Sequence, residues 1–297
     1  MSSLEKLPAS RFLGSSAVFF RAEPGVVVKA PVTVSKGQTI RERPSVAKNY
    51  LVERQIFDRL GQHPRIVRCF GWLTEFPTGL LLAEASHGSL QCFLDRHNEA
   101  IPLSLRKRWV RQAIESIAYI HGRGVIHSDL RPDDFLAHGQ DLWLCDFGKS
   151  TCRELGICGG GVPDAGFFDP NSPWVSTPGT DIFSLGSVLY TILKGHWPYR
   201  TQGGSFETLG DMDKYAAHVE DLFGQGIFPE VNDLVGGEII LGCWTKKYAT
   251  AQDIPEEAAL SECCSLSLSQ LVALQKASDY QLANVVGTDM SRKEQID

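Results

Sequence analysis

Apolar residues change their spacing several times along the chain, and each change marks an element. Leu13–Phe20 and Val26-Val27-Val28 are apolar runs divided by Pro24-Gly25, which predicts strand, turn, strand. From Val46 to Leu60 the spacing turns helical, with Val52, Ile56 and Leu60 on one stripe and Phe57 beside them. Two more strands are predicted near Val67–Leu73 and Gly79–Glu84. Beyond Ser89 helical spacing dominates. A short helix is expected to His97, then a long one with Trp109, Val110, Ala113, Ile114, Ile117 and Ile120 at three- and four-residue steps, closed by Gly122 and Gly124. Another starts at Thr180 or Asp181, both good N-caps, and runs to Leu193. Shorter helices are expected over 212–223 and 237–243. Past Ser261 one amphipathic stretch (Leu266, Leu268, Leu271, Val272, Leu274) precedes a polar end. Strands first and helices after, without an internal repeat, predict an α+β fold.

Two polar segments interrupt this pattern. Val125–Leu136 reads V-I-H-S-D-L-R-P-D-D-F-L, and Leu144–Gly148 reads L-C-D-F-G. Asp and Pro are also ordinary turn residues, so Asp-Phe-Gly alone would say little. The two segments in this order resemble the active site of the eukaryotic protein kinase family. The resemblance extends over about Phe12 to Pro255 and implies a two-lobed fold: a small β-rich lobe with one important helix, and a larger, mainly helical lobe. It makes Asp129 the residue that accepts or orients the proton of an acceptor hydroxyl. Arg131 would steady the phosphoryl group, because guanidinium pairs well with phosphate oxygens. Asp134 and Asp146 would hold Mg²⁺ or Mn²⁺, with Asp134 standing where the family has Asn. The boundaries implied are a kinase-like domain over 12–258 (lobes 12–84 and 86–258) and a tail, 259–297, without an assigned role.

The same resemblance places ATP against Gly14, Val27, Lys29, Glu53, Leu82, Glu84, Ala85 and Leu136. Lys29 corresponds to the lysine that ties the phosphates to a helix glutamate, here Glu53, and His63-Pro64-Arg65-Ile66-Val67 to the turn leaving that helix. Leu82 would be the gatekeeper and Ala83–Ala85 the hinge. Read without the family, Lys29 is an exposed strand-end lysine that carries little stability, and Glu53 a solvated helix residue. His121, in the last turn of its helix, is expected to cap it or face solvent. His127 is expected to pack under Phe147, and Asp181 to hold the catalytic-loop backbone. Departures from the family are concentrated in a few places. The phosphate-covering glycines are reduced to Gly14, with Ser16 and Phe19 at later positions. Ser128 replaces an arginine and cannot read a phosphate on the 149–170 loop. Asp169-Pro170-Asn171 replaces Ala-Pro-Glu, and 243–248 holds no arginine, so that ion pair is expected to be lost on both sides.

Composition narrows the function classes. The chain has 297 residues, 43% hydrophobic and 22% charged, as a soluble globular protein does. Its net charge of −6 argues against nucleic acid as a partner. The 8 cysteines show no metal-ligand or disulfide spacing. With no leader and no membrane-length apolar run, a cytoplasmic or nuclear setting away from membranes is expected; the oligomeric state is not indicated. Three functions fit these residues. The first is an ATP-dependent kinase acting on protein Ser/Thr hydroxyls. The second is a pseudokinase scaffold, suggested by the single glycine, Ser128, Asp134 and Asn171. The third is a small-molecule phosphotransferase, disfavoured by His63-Pro64, the Asp181 helix and Trp197-Pro198-Tyr199.

Overall fold

The β-branched run at Val26 becomes the middle of a sheet. The computed structural model describes residues 5–7, 17–36, 39–42, 44–75, 77–201, 203, 206 and 208–255; Gly14, the start of the first predicted strand and the 259–297 tail lie outside them. β1 (Glu5–Lys6), β2 (Ala17–Glu23), β3 (Val26–Pro31), β6 (Cys69–Leu73) and β7 (Gly79–Ala83) form an antiparallel sheet in the order β1-β2-β3-β7-β6. Glu5 pairs with Arg21 and Lys6 with Phe20, so the sheet extends N-terminal of residue 12. The reason is visible at Arg21, whose guanidinium bonds Glu5 and Glu84, each at 2.6 Å. Between β3 and β6 lie a hairpin, β4 (Thr33–Lys36) with β5 (Thr39–Glu42), and α1 (Pro44–Leu60).

α1 is fastened at its C-terminal end to the helical lobe. Tyr119 donates its hydroxyl to the Leu60 carbonyl, and its ring stacks on His63 at 3.8 Å. Arg59 reaches the Arg123 carbonyl (3.0 Å) and Glu154. Gly148 touches α1 so closely that an added Cβ would lie 3.2 Å from the Asn49 Cβ.

The second lobe contains α2 (Leu90–His97), α3 (Leu103–Gly122), α4 (Pro178–Lys194), α5 (Leu209–Gly224) and α6 (Gly237–Trp244). Five short strands accompany them: β8 (Val125–Ile126), β9 (Phe135–His138), β10 (Asp141–Leu144), β11 (Thr151–Cys152) and β12 (Ile157–Cys158). α4 is the lobe's axis. Thr177 caps it through Thr180 N–H, Pro178 takes the first helical turn where no N–H partner is needed, and Gly195 ends it with φ 87°. All its residues from Thr180 to Ile192 are buried, as expected for a helix apolar on every side. Gly186 permits α6 to approach, since a Cβ there would come 2.8 Å from the Cys243 Cβ. Among the described residues no helix is long and apolar enough to cross a membrane.

The family's ion pair is absent at Asn171, whose amide bonds the Gly224 carbonyl instead (3.0 Å). A different pair stands nearby, which the sequence did not suggest: Lys246 Nζ lies 2.6 Å from Asp169 Oδ2. Asp169 also accepts from Asn171 N–H and Ser172 Oγ, each at 2.9 Å. Burial works against its charge, but Lys246 and these donors hold the carboxyl below its usual range.

Candidate active site

Strand alternation turns Lys29 inward from β3, and the α1 stripe turns Glu53 toward it. Lys29 Nζ donates to both Glu53 oxygens (2.9 and 2.8 Å) and to Asp146 Oδ1 (2.8 Å). The exposed strand-end lysine and the solvated glutamate are both overturned: Lys29 is 5% exposed and Glu53 1%. Burial opposes the ammonium's charge, yet Asp146 and Glu53 outweigh it and raise Lys29 well above its ordinary range. Burial likewise opposes charge on Asp146, and Lys29 reverses that, lowering its pKa. Asp146 has φ 63°, an uncommon left-handed backbone for a non-glycine residue. This twist sends its carboxylate to Lys29 while Phe147 enters the core between Phe57 (5.3 Å) and His127 (5.4 Å).

The catalytic loop hangs from α4. Asp181 Oδ2 accepts from His127 N–H (2.7 Å) and Oδ1 from Ser128 N–H (2.9 Å). His121 Nε2 also meets Oδ2 at 3.0 Å with its side chain only 4% exposed, so His121 neither caps its helix nor faces solvent. Its place on the long helix put it near a terminus; nothing in the local pattern revealed a partner sixty residues away. Ser128, buried with φ 73°, bonds Ile126 O and Thr151 Oγ1. Asp129 makes no hydrogen bond or ion pair among the described residues, which leaves its carboxylate available to a ligand. Burial raises its pKa, with Arg131 acting in the opposite sense.

Asp134 is buried, and its Oδ2 accepts from Arg131 N–H at 3.0 Å. The Asp134 carbonyl takes Cys145 N–H (2.8 Å), tying this loop to the Asp146 segment. Burial first, then the like charges of Asp146, Asp129 and Asp133, push Asp134 well above the ordinary carboxylate range, with Arg131 opposing. A carboxylate crowded by others fits a cation. No cluster of three ligating side chains exists among the described residues.

Asp133 accepts from Ser89 Oγ (3.3 Å), while its Oδ2 is covered and unbonded. Burial pushes its carboxyl up to about 7 against the pull of Arg131. Between pH ~4 and ~7 the folded chain therefore keeps a proton that the unfolded chain releases, and stability falls as pH rises through that window. Asp133→Asn should remove this slope. The urea midpoint of the variant, relative to wild type, should rise from pH 4 to pH 8; a constant difference would mean that Asp133 is already ionised in the fold.

The cleft walls follow from β3, β7 and β9. Val27 and Leu82 are buried partners across two strands, and Leu136 on β9 is partly buried against the same core. Glu84 is diverted, its carboxylate to Arg21 and its N–H to Gly25 O (2.8 Å). Ala85 has no backbone hydrogen bond among the described residues. A separate cavity of about 690 Å³ opens behind α1, bordered by Phe57, His63, Cys69 and Trp143, away from these carboxylates.

The segment from Asp146 to Asn171 is folded against the catalytic loop. β11 pairs with β8 and β12, and Gly159 packs on Lys149 so tightly that a Cβ would meet its carbonyl carbon at 2.3 Å. Arg131 Nη1 bonds Asp164 Oδ2 at 2.8 Å. Asp164, like Lys246, was not singled out in the sequence, and Asp169 stood there only as the first residue of Asp169-Pro170-Asn171; each sits in a loop with no periodicity to point to its partner.

A sheet-bearing lobe and a helical lobe, with a lysine bound to a helix glutamate and to an Asp-Phe-Gly aspartate between them, define the two-lobed kinase-like fold class. The protein kinase domain model matches residues 26–235. The chain belongs to the protein kinase family. It is 30% identical over 173 residues to the Aurora kinase of Yarrowia lipolytica, covering 55% of this chain and 45% of that protein. Against the serine/threonine-protein kinases GIN4 and RAD53 of Saccharomyces cerevisiae, identity is 28% in both cases. Those matches cover 54% and 60% of this chain, but 14% and 24% of the relatives. The chain thus spans less than half the length of these relatives.

Proposed function

We propose that this chain transfers the γ-phosphate of ATP to Ser/Thr hydroxyls of a protein substrate. The observation that carries this reading is Lys29 bonded at once to Glu53 and Asp146. That arrangement is preformed for triphosphate binding, because it holds a full positive charge at a fixed point in the cleft. The names of the matched relatives support the Ser/Thr preference. Val27, Leu82 and Leu136 would enclose the adenine, Ala85 would bond its edge, and Lys29 would hold phosphate oxygens. Asp134 and Asp146 would bind Mg²⁺ or Mn²⁺, which neutralises phosphate charge. Asp129 takes the proton of the acceptor hydroxyl, and Arg131 compensates charge on the transferred group.

The deciding experiment incubates the purified chain with γ-labelled ATP, Mg²⁺ or Mn²⁺, and generic Ser/Thr and Tyr peptides, alongside a nucleotide thermal shift. Label on Ser/Thr peptides is expected. A thermal shift without transfer would favour the pseudokinase, a reading supported by Ser128 and Asp134.

Asp134 sets the metal requirement. Its carboxylate adds a negative charge near the triphosphate unless a cation covers it. In EDTA, ATP should bind Asp134→Asn several-fold more tightly than wild type; with Mg²⁺ wild type should gain the larger increment. Calorimetric titrations of both proteins test this, and equal metal-free affinity would show that Asp134 does not face the nucleotide.

A further inference from the structure

The cavity of about 690 Å³ behind α1 is built from the end of that helix, the turn after it, β6 and Trp143 of β10. Phe57, Ile66 and Val67 in its lining are buried, and Trp143 is partly buried. β6 is the last strand of its sheet, and its register against β7 shifts between Cys69 and Gly71. A bulge on a sheet edge re-aims a side chain. Here it leaves the Phe70 ring at the cavity, 47% exposed. An exposed ring beside an apolar lining suits apolar side chains of a partner segment. At the rim, the Arg68 guanidinium lies 5.0 Å from the Phe70 ring centre and meets no carboxylate among the described residues.

The last described residues lie one side chain away. Gln252 donates to the Ala118 carbonyl on α3 (2.6 Å), and a Cβ on Gly122 would come 3.5 Å from its amide. Tyr119, next to Ala118, stacks on His63 (3.8 Å), and His63 lines the cavity. Arg123, next to Gly122, is exposed, with its guanidinium 5.2 Å from the Tyr119 ring centre and no carboxylate partner among the described residues. The sequence after Pro255 follows the order of this surface. Glu256, Glu257 and Glu262 come first, with no basic residue between them. Residues 263–275 then carry no charge and include Leu266, Leu268, Leu271, Val272 and Leu274. Even at a helical rise, the stretch from Pro255 to Leu268 spans roughly 20 Å, enough to pass one tyrosine.

We propose that residues 266–274 of this chain dock in the cavity behind α1, with Glu256, Glu257 and Glu262 led past Arg123. Phe57 lines the cavity and also packs on Phe147 (5.3 Å), so the docked segment backs the contact that seats Phe147. The inference does not rest on the kinase reading.

The test uses the full chain carrying Leu271→p-benzoylphenylalanine, irradiated as a dilute mixture of isotopically heavy and light protein without nucleotide. Crosslinks to residues 57–71 or to Trp143 within one chain are expected. Crosslinks joining heavy to light chains would overturn the proposal in favour of a second copy. Crosslinks elsewhere on the chain, or none, would overturn it outright. Phe70→Asp, at an exposed position, should lower the yield about tenfold. Arg123→Glu should lower it several-fold, and adding Glu256→Arg/Glu257→Arg should restore it; a yield indifferent to these charges would refute the route past Arg123. Hydrogen exchange supplies a second readout in the unlabelled chain. Over 57–71 it should quicken about tenfold in Leu268→Asp/Leu271→Asp, which changes no described residue, and an unchanged rate would refute the docking.

Discussion

Replacing Lys29 with alanine should abolish phosphoryl transfer and also lower the melting temperature by about 6–20 °C. The size follows from burial. Glu53 is 1% exposed and bonds Lys29 through both oxygens, so the variant strands a carboxylate in the core. Removing one partner of a buried pair costs about 3–5 kcal/mol, and each kcal/mol moves a domain of this size by about 2–4 °C. Asp146, with a half-exposed side chain, is screened by solvent and contributes less. The deficit depends on pH. Burial already raises the Glu53 pKa, and without Lys29 only the Phe147 backbone hydrogen bond opposes it, so the folded variant holds a proton that the unfolded chain releases. Its stability therefore falls as pH rises above the unfolded glutamate value, and the gap from wild type widens. Adding Glu53→Gln should recover part of the stability and none of the activity. A scanning-calorimetry melting point equal to wild type would show that the pair is not formed in solution.

Asp181→Asn should cost about 2–4 kcal/mol and reduce kcat about a hundredfold or more while leaving the KM for ATP nearly unchanged. The carboxylate is fully buried and serves His127 N–H, Ser128 N–H and His121. An amide offers one acceptor oxygen, so its NH₂ group must confront a donor on one side, leaving a buried N–H unpaired. Ser128 adds a second penalty. Its φ of 73° is a strained conformation for serine, maintained because Asp181 grips the two successive amides that lead into that torsion. Loosening the grip lets the backbone relax and carries Asp129 away from its place. Steady-state kinetics with a thermal melt separate the outcomes: loss of ATP affinity in parallel with kcat would mean that the nucleotide site, not the loop, depends on Asp181.

Much of this was legible in the chain because periodic elements announce their inner faces. The stripe on α1 put Glu53 beside Lys29, and the apolar run of α4 foretold a buried axis carrying Asp181. What stayed hidden lies where periodicity stops. The depth of Lys29 depends on β7 and α1 closing over β3, which no local pattern around Lys29 contains. His121 looked like a terminal cation because the sequence shows its helix but not α4 beneath it. The Asp169–Lys246 pair escaped notice because the family's spacing suggested looking two residues later, at Asn171. Hairpin residues before α1 and the two-residue β1 are too short to register as alternation at all.

The fastening of α1 bears on how nucleotide enters. With Leu60 held by Tyr119, Arg59 held by Glu154, and Gly148 seated on Asn49, this helix is mechanically part of the lower half although it lies beside the sheet. Lys29 rides on the sheet and Glu53 on that helix. An outward swing of the sheet relative to that helix would stretch the bonds between them. The Lys29–Glu53 separation is then a gauge of cleft opening, and a fluorophore pair or spin label spanning β3 and α1 would read each admission and release of nucleotide as a lengthening.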